Sequence, residues 1–398
     1  MSAMPFTQTE YESRWAAVHA EMRRAGLDSA VVWSRGGGNY DRFQEVYYLT
    51  NYYSCNSGYG YDGFQQGTRA AAHCAVLLRL GKEPILIADD PTLDRTLFPT
   101  SNIAAGTDVV GLLADVLHRE GVRGIVGFVG LDCISAKHME DLRALTPSIR
   151  WTSHDDLVLD VRIVKSAAEL DMFRCAGETV SNAMNALFQV IFSGGSEAEA
   201  AGAAAREVYR RQGSINFIHV GHGPWMGERI TDCPISGYSN GTPAAGELVR
   251  GWVYGAMHRG YWLDPGRTSV VGLQPTPDQR RLVESCAQIV EGLRGMIRPG
   301  VHAAAIGEAG QRLLDEFNGG RPYDNGWYIF GHGNGLYFEP PAITPGYDGK
   351  HGVFVENMVS STEAFLNLPG VGNAGFEQNF IVTKTGTELL TTTPMIWW

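Results

Sequence analysis

The sequence contains no long apolar run: none comes near the roughly 20 residues needed to cross a bilayer. Its opening, MSAMPFTQTEYESRW, has neither a basic start nor an apolar signal core. A cytoplasmic protein without a membrane partner is therefore expected. The six cysteines (Cys55, Cys74, Cys133, Cys175, Cys233, Cys286) are scattered, with no C-x-x-C pair, which argues against a disulfide framework and a zinc knuckle. Cys175 and Cys286 fall in helical patterns and read as buried thiols. Positive charge is also scarce: 32 Lys and Arg against 43 Asp and Glu leave a net −11, so repulsion disfavours nucleic acid and anionic membrane. No repeat recurs at solenoid period. A small-molecule substrate and self-association remain as partners.

With 398 residues, 44% of them hydrophobic and 19% charged, the chain is long enough for two domains. Residues 1–158 read as a small α/β domain. TQTEYESRWAAVHAEMRRAGLDSAVVWS gives an amphipathic helix with Trp15, Val18 and Met22 on one face, ended by Gly26 and followed by the strand SAVVW. CAVLLRL and EPILIADD form a hairpin turning at GK, and GIVGFVGLD is a further buried strand. The aromatics of DRFQEVYYLTNYYS read as core or interface packing. Residues 159–398 form the second domain. Ser166 and Glu169 make a capping box before a helix with Leu170, Phe173, Val180, Met184 and Leu187 on one face. Further helices are expected at PDQRRLVESCAQIVEGLRGMI and HAAAIGEAGQRLLDEF, with strand-rich segments around them. This arrangement gives two helix-plus-strand halves.

Four residues draw attention together: Asp264 in GYWLDPGRT, His332 in FGHGNGLYFEPP, Glu363 in ENMVSSTEAFL and Glu377 in GVGNAGFEQNFIVT. The three carboxylates sit in apolar, strand-like surroundings, where an unpaired charge would cost several kcal/mol. A bound cation compensates. Three carboxylates and an imidazole suit a divalent Mn, Fe, Co or Zn ion, and the glycines beside His332 let the backbone come close.

VRIVKSAAELDMFRCAG, GYWLDPGRT, GHGNGLYFEPP, MVSSTEAF and FEQNFIVTKTGTELLT, in this order and spacing, resemble the signature segments of the creatinase, prolidase and methionine aminopeptidase superfamily. RWAAVHAEMRRAGLDSAVV and VYYLTNY extend the resemblance to the creatinase/prolidase branch. The resemblance implies an α+β fold with a pita-bread C-terminal domain, a smaller α/β N-terminal domain and a homodimer. It also implies five ligands for two metals. Asp264 matches the bridging Asp, His332 the His, and Glu363 and Glu377 the two Glu. The remaining Asp should lie about eleven residues before Asp264, which points to Val253, or to Trp252 if the hairpin has slipped by one. Neither can ligate a metal, so the expectation is one ion per chain, or none.

Two other departures stand out. Phe338 occupies the position of a catalytic His in the peptidases, and EQN follows where ED is usual. The resemblance places a substrate-contacting His near His219 and His222, with His222 preferred because Gly223-Pro224 follows it. An imidazole suits proton transfer at neutral pH, and Glu363 is a second candidate base for the case in which no metal is bound. Trp225, Trp252, Trp262 and Trp327 are candidates for an aromatic wall. The main expectation is a hydrolase that cleaves a C–N bond in a small polar metabolite. The alternatives are a metal-dependent lyase acting on a sulfonium-type substrate, an Xaa-Pro peptidase-like enzyme, or a non-catalytic binding protein of this fold.

Overall fold

A computed structural model describes residues 4–37, 42–55, 62–63, 66–223, 235–324 and 326–398. The chain divides into two compact units, the first ending at Arg162 and the second running Ile163–Trp398.

The first unit contains α1 (Gln8–Arg24), β1 (Ser29–Arg35), α2 (Gln44–Thr50), β2 (His73–Arg79), β3 (Ile85–Ala88), β4 (Ile103–Ala105), α3 (Val109–Arg119), β5 (Gly124–Val129), α4 (Ala136–Leu145), β6 (Ile149–Ser153) and α5 (Asp156–Arg162). Its sheet runs β4-β3-β2-β1-β5-β6. The β2–β3 hairpin is antiparallel, while β5 joins β1 in parallel. Trp15, Val18 and Met22 of α1 are buried, and Gly26 follows the helix in the left-handed region. Asp108 caps α3 by accepting from the Gly111 amide and also grips Arg69 through both carboxylate oxygens. Tyr48 and Tyr52 are buried within this unit, so these aromatics serve its core.

The second unit contains α6 (Ala167–Phe192), α7 (Glu197–Tyr209), β7 (Ser214–His222), β8 (Leu248–His258), β9 (Tyr261–Leu263), β10 (Gly266–Val270), α8 (Pro277–Met296), α9 (Ala303–Phe317), β11 (His332–Asn334), β12 (Phe338–Ala342), β13 (Val359–Leu368), β14 (Gly372–Val382) and β15 (Thr387–Leu389). The expected capping box of Ser166 and Glu169 opens α6. Leu170, Phe173, Val180, Met184 and Leu187 are buried, whereas Cys175 is exposed, which corrects its reading as a buried thiol. It occupies the solvent side of an amphipathic helix, where a small side chain needs no burial. Cys286 of α8 is buried and donates its S–H to the Ala364 and Ala374 carbonyls.

One sheet, ordered β12-β11-β13-β14-β10-β8-β7, runs through this unit, with β15 on β14 and β9 on β8. Helices cover one face of it. Thr362 bonds to the Val290 carbonyl of α8, and a Cβ on Gly251 would lie 2.9 Å from Leu187 of α6. Since side chains alternate along a strand, Glu363 on β13 and Trp252 on β8 point to the opposite face.

The packing of the first unit yields a pH prediction. The indole N–H of Trp33 donates to Nδ1 of buried His73 at 2.8 Å, and burial, with His138 and Arg35 adding to it, pulls this imidazole down to about 3. The folded chain keeps His73 neutral, while the unfolded chain protonates it below about 6.5. Stability is therefore lost as pH falls from 6.5 towards 3, by about 2 kcal/mol between pH 7 and pH 5. Wild type should lose more melting temperature across that interval than His73→Asn. Parallel pH profiles would show that His73 is not the titrating group.

Candidate active site

Pairing between the strands places a row of residues on the face away from the helices. His219 on β7 lies opposite Trp252 on β8, Trp252 opposite Gly266 on β10, Gly266 opposite Glu377 on β14, and Glu377 opposite Glu363 on β13. Directly opposed residues share a face. Asp264, two residues before Gly266, and His332, at the start of β11, complete the group. Gly331 brings His332 in: its φ is +136°, and a Cβ there would lie 2.0 Å from the Ser361 carbonyl, so only glycine fits.

Asp264, His332 and Glu377 offer ligand atoms that all lie within 4.8 Å of one another. His332 Nε2 is 3.3 Å from Asp264 Oδ2 and 3.5 Å from Glu377 Oε1. The other oxygen of each carboxylate is engaged. Asp264 Oδ1 accepts from the amides of Asn379 at 2.8 Å and Asn334 at 3.2 Å, and Glu377 Oε2 accepts from the Trp252 indole at 2.9 Å. Glu363 is buried beside this trio, outside the 4.8 Å cluster.

Burial dominates the electrostatics. It pushes Glu363 up to about 8, with His332 opposing and Asp264 reinforcing the shift, and it raises Glu377 as well. Burial also pushes Asp264 up, but His332 more than offsets it and the carboxyl lies below its usual range. His332 is depressed by burial yet raised overall to about 9, because Asp264 stands against it. Without a cation, the cluster holds its charge only by retaining protons on these groups. Glu377 Oε1 is buried and accepts no hydrogen bond. A hard or borderline divalent ion fits this donor set of two carboxylate oxygens and an imidazole nitrogen.

The structure separates the sequence candidates. Trp252, rather than Val253, turns to the carboxylates, and the reason is a bulge between Ala256 and His258 in the β8–β9 pairing, which shifts the count by one. Val253 is fully buried on the helix side. The preferred candidate His222 and the other candidate His219, three residues apart on β7, point to opposite faces. His222 lies opposite Val249 on the face away from the site row, bonded to Glu197 at 2.6 Å. His219 stands in the site row, 2.9 Å from the Tyr254 hydroxyl, and burial, helped by Arg250, pulls it down to about 4. Phe338 lies edge-on to the His332 ring at 4.5 Å. Trp262 is fully buried against Tyr337 and Phe338, Trp327 meets Phe365 edge-on, and Trp225 lies outside the described residues.

The model of metallopeptidase family M24 matches residues 171–384. The chain belongs to that family. It is similar to an Xaa-Pro dipeptidase of Pyrococcus horikoshii, 25% identical over 260 residues that cover 64% of this chain and 70% of the relative. It is also similar to a probable dipeptidase PepE of Mycobacterium tuberculosis, 28% identical over 294 residues, 73% of each chain. The solved dipeptidase PepE of Mycobacterium ulcerans superposes with a TM-score of 0.74 at 23% identity, covering 98% of both chains. The prolidase of Pyrococcus horikoshii gives 0.73 at 20% identity, covering 96% of this chain and 99% of its own. The fold of this M24 chain is the pita-bread type with a smaller α/β unit before it.

Sequence reasoning missed Asn334, Asn379 and Arg267 as parts of this M24 site. Arg267 is completely buried and donates to the backbone carbonyls of Gly266, Glu377, Thr393 and Pro394 and to the side chain of Gln378. It thus fixes the backbone that carries Glu377. For Asn379, a polar side chain followed by the apolar Phe380, Ile381 and Val382 of β14 was the available signal.

Gly266 sets the position of Trp252, because a Cβ there would fall 1.8 Å from the indole ring. Gly266→Ala should destabilise the chain by about 1–3 kcal/mol, the ordinary range for overpacking. Trp252→Val in the same chain should recover most of that loss, as read by urea unfolding. Additive costs would show that the two positions do not meet.

Proposed function

We propose that the chain is an M24 hydrolase that cleaves the C–N bond of dipeptide-sized substrates. The observation that carries this reading is the convergence of Asp264, His332 and Glu377 in a chain of this family. The names of the relatives favour the Xaa-Pro peptidase-like alternative over another small polar metabolite and over elimination.

Asp264, His332 and Glu377 would hold a divalent ion, Mn, Fe, Co or Zn, whose charge polarises an amide carbonyl and acidifies water. Glu363, buried beside them, is the base proposed to take a proton from the attacking water and deliver it to the departing amine. His219 stays neutral at pH 7 and, with the Tyr254 hydroxyl, offers hydrogen bonds to a polar group of the substrate. Phe338 presents an apolar ring beside His332, so it offers no group that could move a proton there. A homodimer in the cytoplasm belongs to the same reading. Among the described residues, no helix is long and apolar enough to cross a membrane.

Incubation with a panel of Xaa-Pro and other dipeptides, with Mn or Co in labelled water, should release two free amino acids, the N-terminal one carrying one labelled oxygen in its new carboxylate and the C-terminal one carrying none. His332→Ala and Glu363→Gln should each lower kcat/KM at least about 100-fold, roughly 2.7 kcal/mol of transition-state stabilisation. An alkene product, or either variant retaining more than a tenth of wild-type activity, would overturn the assignment. Light scattering should give a dimer mass at micromolar concentration, and a monomer would remove the homodimer from this reading.

A further inference from the structure

We infer that Trp252, Asn334 and Asn379 close the second ion position implied by the family resemblance, so that the centre takes one divalent ion per chain. This rests on the reading of Asp264, His332 and Glu377 as ligands. The resemblance makes Asp264 the bridging Asp and leaves a second ion only Asp264 and Glu377 among the residues present; a carboxylate shared with the first ion must present one oxygen to each. Here one oxygen of each is already committed. Asp264 Oδ1 accepts two side-chain amides, and Glu377 Oε2 accepts the indole N–H.

Each of these donors points a hydrogen, the positive end of its dipole, at the oxygen a second cation would approach. An indole nitrogen donates only and has no lone pair for a metal. Nor can the ring easily move aside. It is stacked on Phe365 with centroids 5.3 Å apart and planes 15° apart, it lies over Gly266 where not even a methyl fits, and a Cβ on Gly375 would be 2.8 Å from its outer edge. The opposite sides of the same carboxylates, Asp264 Oδ2 and Glu377 Oε1, face His332 Nε2 instead. Neutral dipoles built into the sheet therefore take over from the second cation on one side of the carboxylates, and the first position stays open on the other.

The test is equilibrium dialysis of the full chain, stripped with a chelator, against Mn²⁺ or Co²⁺, with metal counted per chain. Wild type should reach a plateau at one ion. Trp252→Asp, checked for folding by circular dichroism, should rise towards two, because it replaces a donor with a ligand facing Glu377. Val253→Asp should not exceed one, because its side chain points to α6. A wild-type plateau of two would overturn the inference while leaving the hydrolase reading intact. Val253→Asp reaching two while folded Trp252→Asp stays at one would also overturn it. A wild-type plateau of zero would strike the ligand reading itself, and this inference with it. If Trp252→Asp does not fold, the wild-type plateau decides alone.

Discussion

Negative charge buried on the inner face of one sheet is the constraint on which the second unit depends. Asp264, Glu363 and Glu377 are each 4% exposed or less, and three ionised carboxylates at such depth repel one another strongly in a poorly screening medium. Folding leaves few ways to hold them: protons, a cation, or fixed donors. The structure combines these. His332 stands between Asp264 and Glu377, amides and an indole hold the outer oxygens, and the remaining oxygen of Glu377 is left without a hydrogen bond. That oxygen, beside Asp264 and His332, is where a cation would relieve the most buried charge.

The same constraint explains why Trp252 is tolerated in the site row. An indole in the middle of a polar row would be costly if its N–H had no acceptor, and Glu377 provides one. The ring needs room, which Gly266 and Gly375 supply on the neighbouring strands. Phe365 stacks on its face, and the Arg250 guanidinium lies 5.8 Å from its centre, a cation–π contact that adds to the burial. One apolar substitution in a carboxylate site is thus supported by five neighbours, two of them glycines. A family-level match carries none of this detail, since identities of 20–28% show the fold but not the residues that fill the space around a site.

Much of the architecture was legible because its signals are local. The capping box at Ser166 and Glu169, the α1 face of Trp15, Val18 and Met22, and the hairpin of β2 and β3 each follow from periodicity and turn chemistry within a few residues. Cys175 was misread because helical membership does not say which side of the helix a small residue occupies. In the site, Asp264, His332 and Glu377 could be named from their motifs, but which neighbour faces them could not. The one-residue bulge in the β8–β9 pairing decides between Trp252 and Val253, and a shift of one reverses every side chain on a strand. The facing of His222 was likewise not legible in the sequence. Three residues along a strand from His219, this residue points to the other face and finds Glu197 there.

Outside the ligands, the buried cations Arg267 and Lys165 hold the frame. Arg267 binds the backbone of Glu377 together with the turn at Thr393 and Pro394. Lys165, just before α6, bonds to the Ile163 carbonyl at 2.9 Å and forms an ion pair with Glu339, which follows Phe338 on β12. Both members of that pair are almost fully buried. Such pairs add little net stability, because desolvating two charges consumes most of their attraction, but removing one partner strands the other. Their effect is therefore one of selection among arrangements rather than of strength. A sheet that must seat three acids and an imidazole within a few ångströms tolerates little slippage of β12 against β11, and a buried pair that forms in one register alone penalises the others. The charge that makes the site chemically useful is thus held in place by charge that has no direct part in the chemistry.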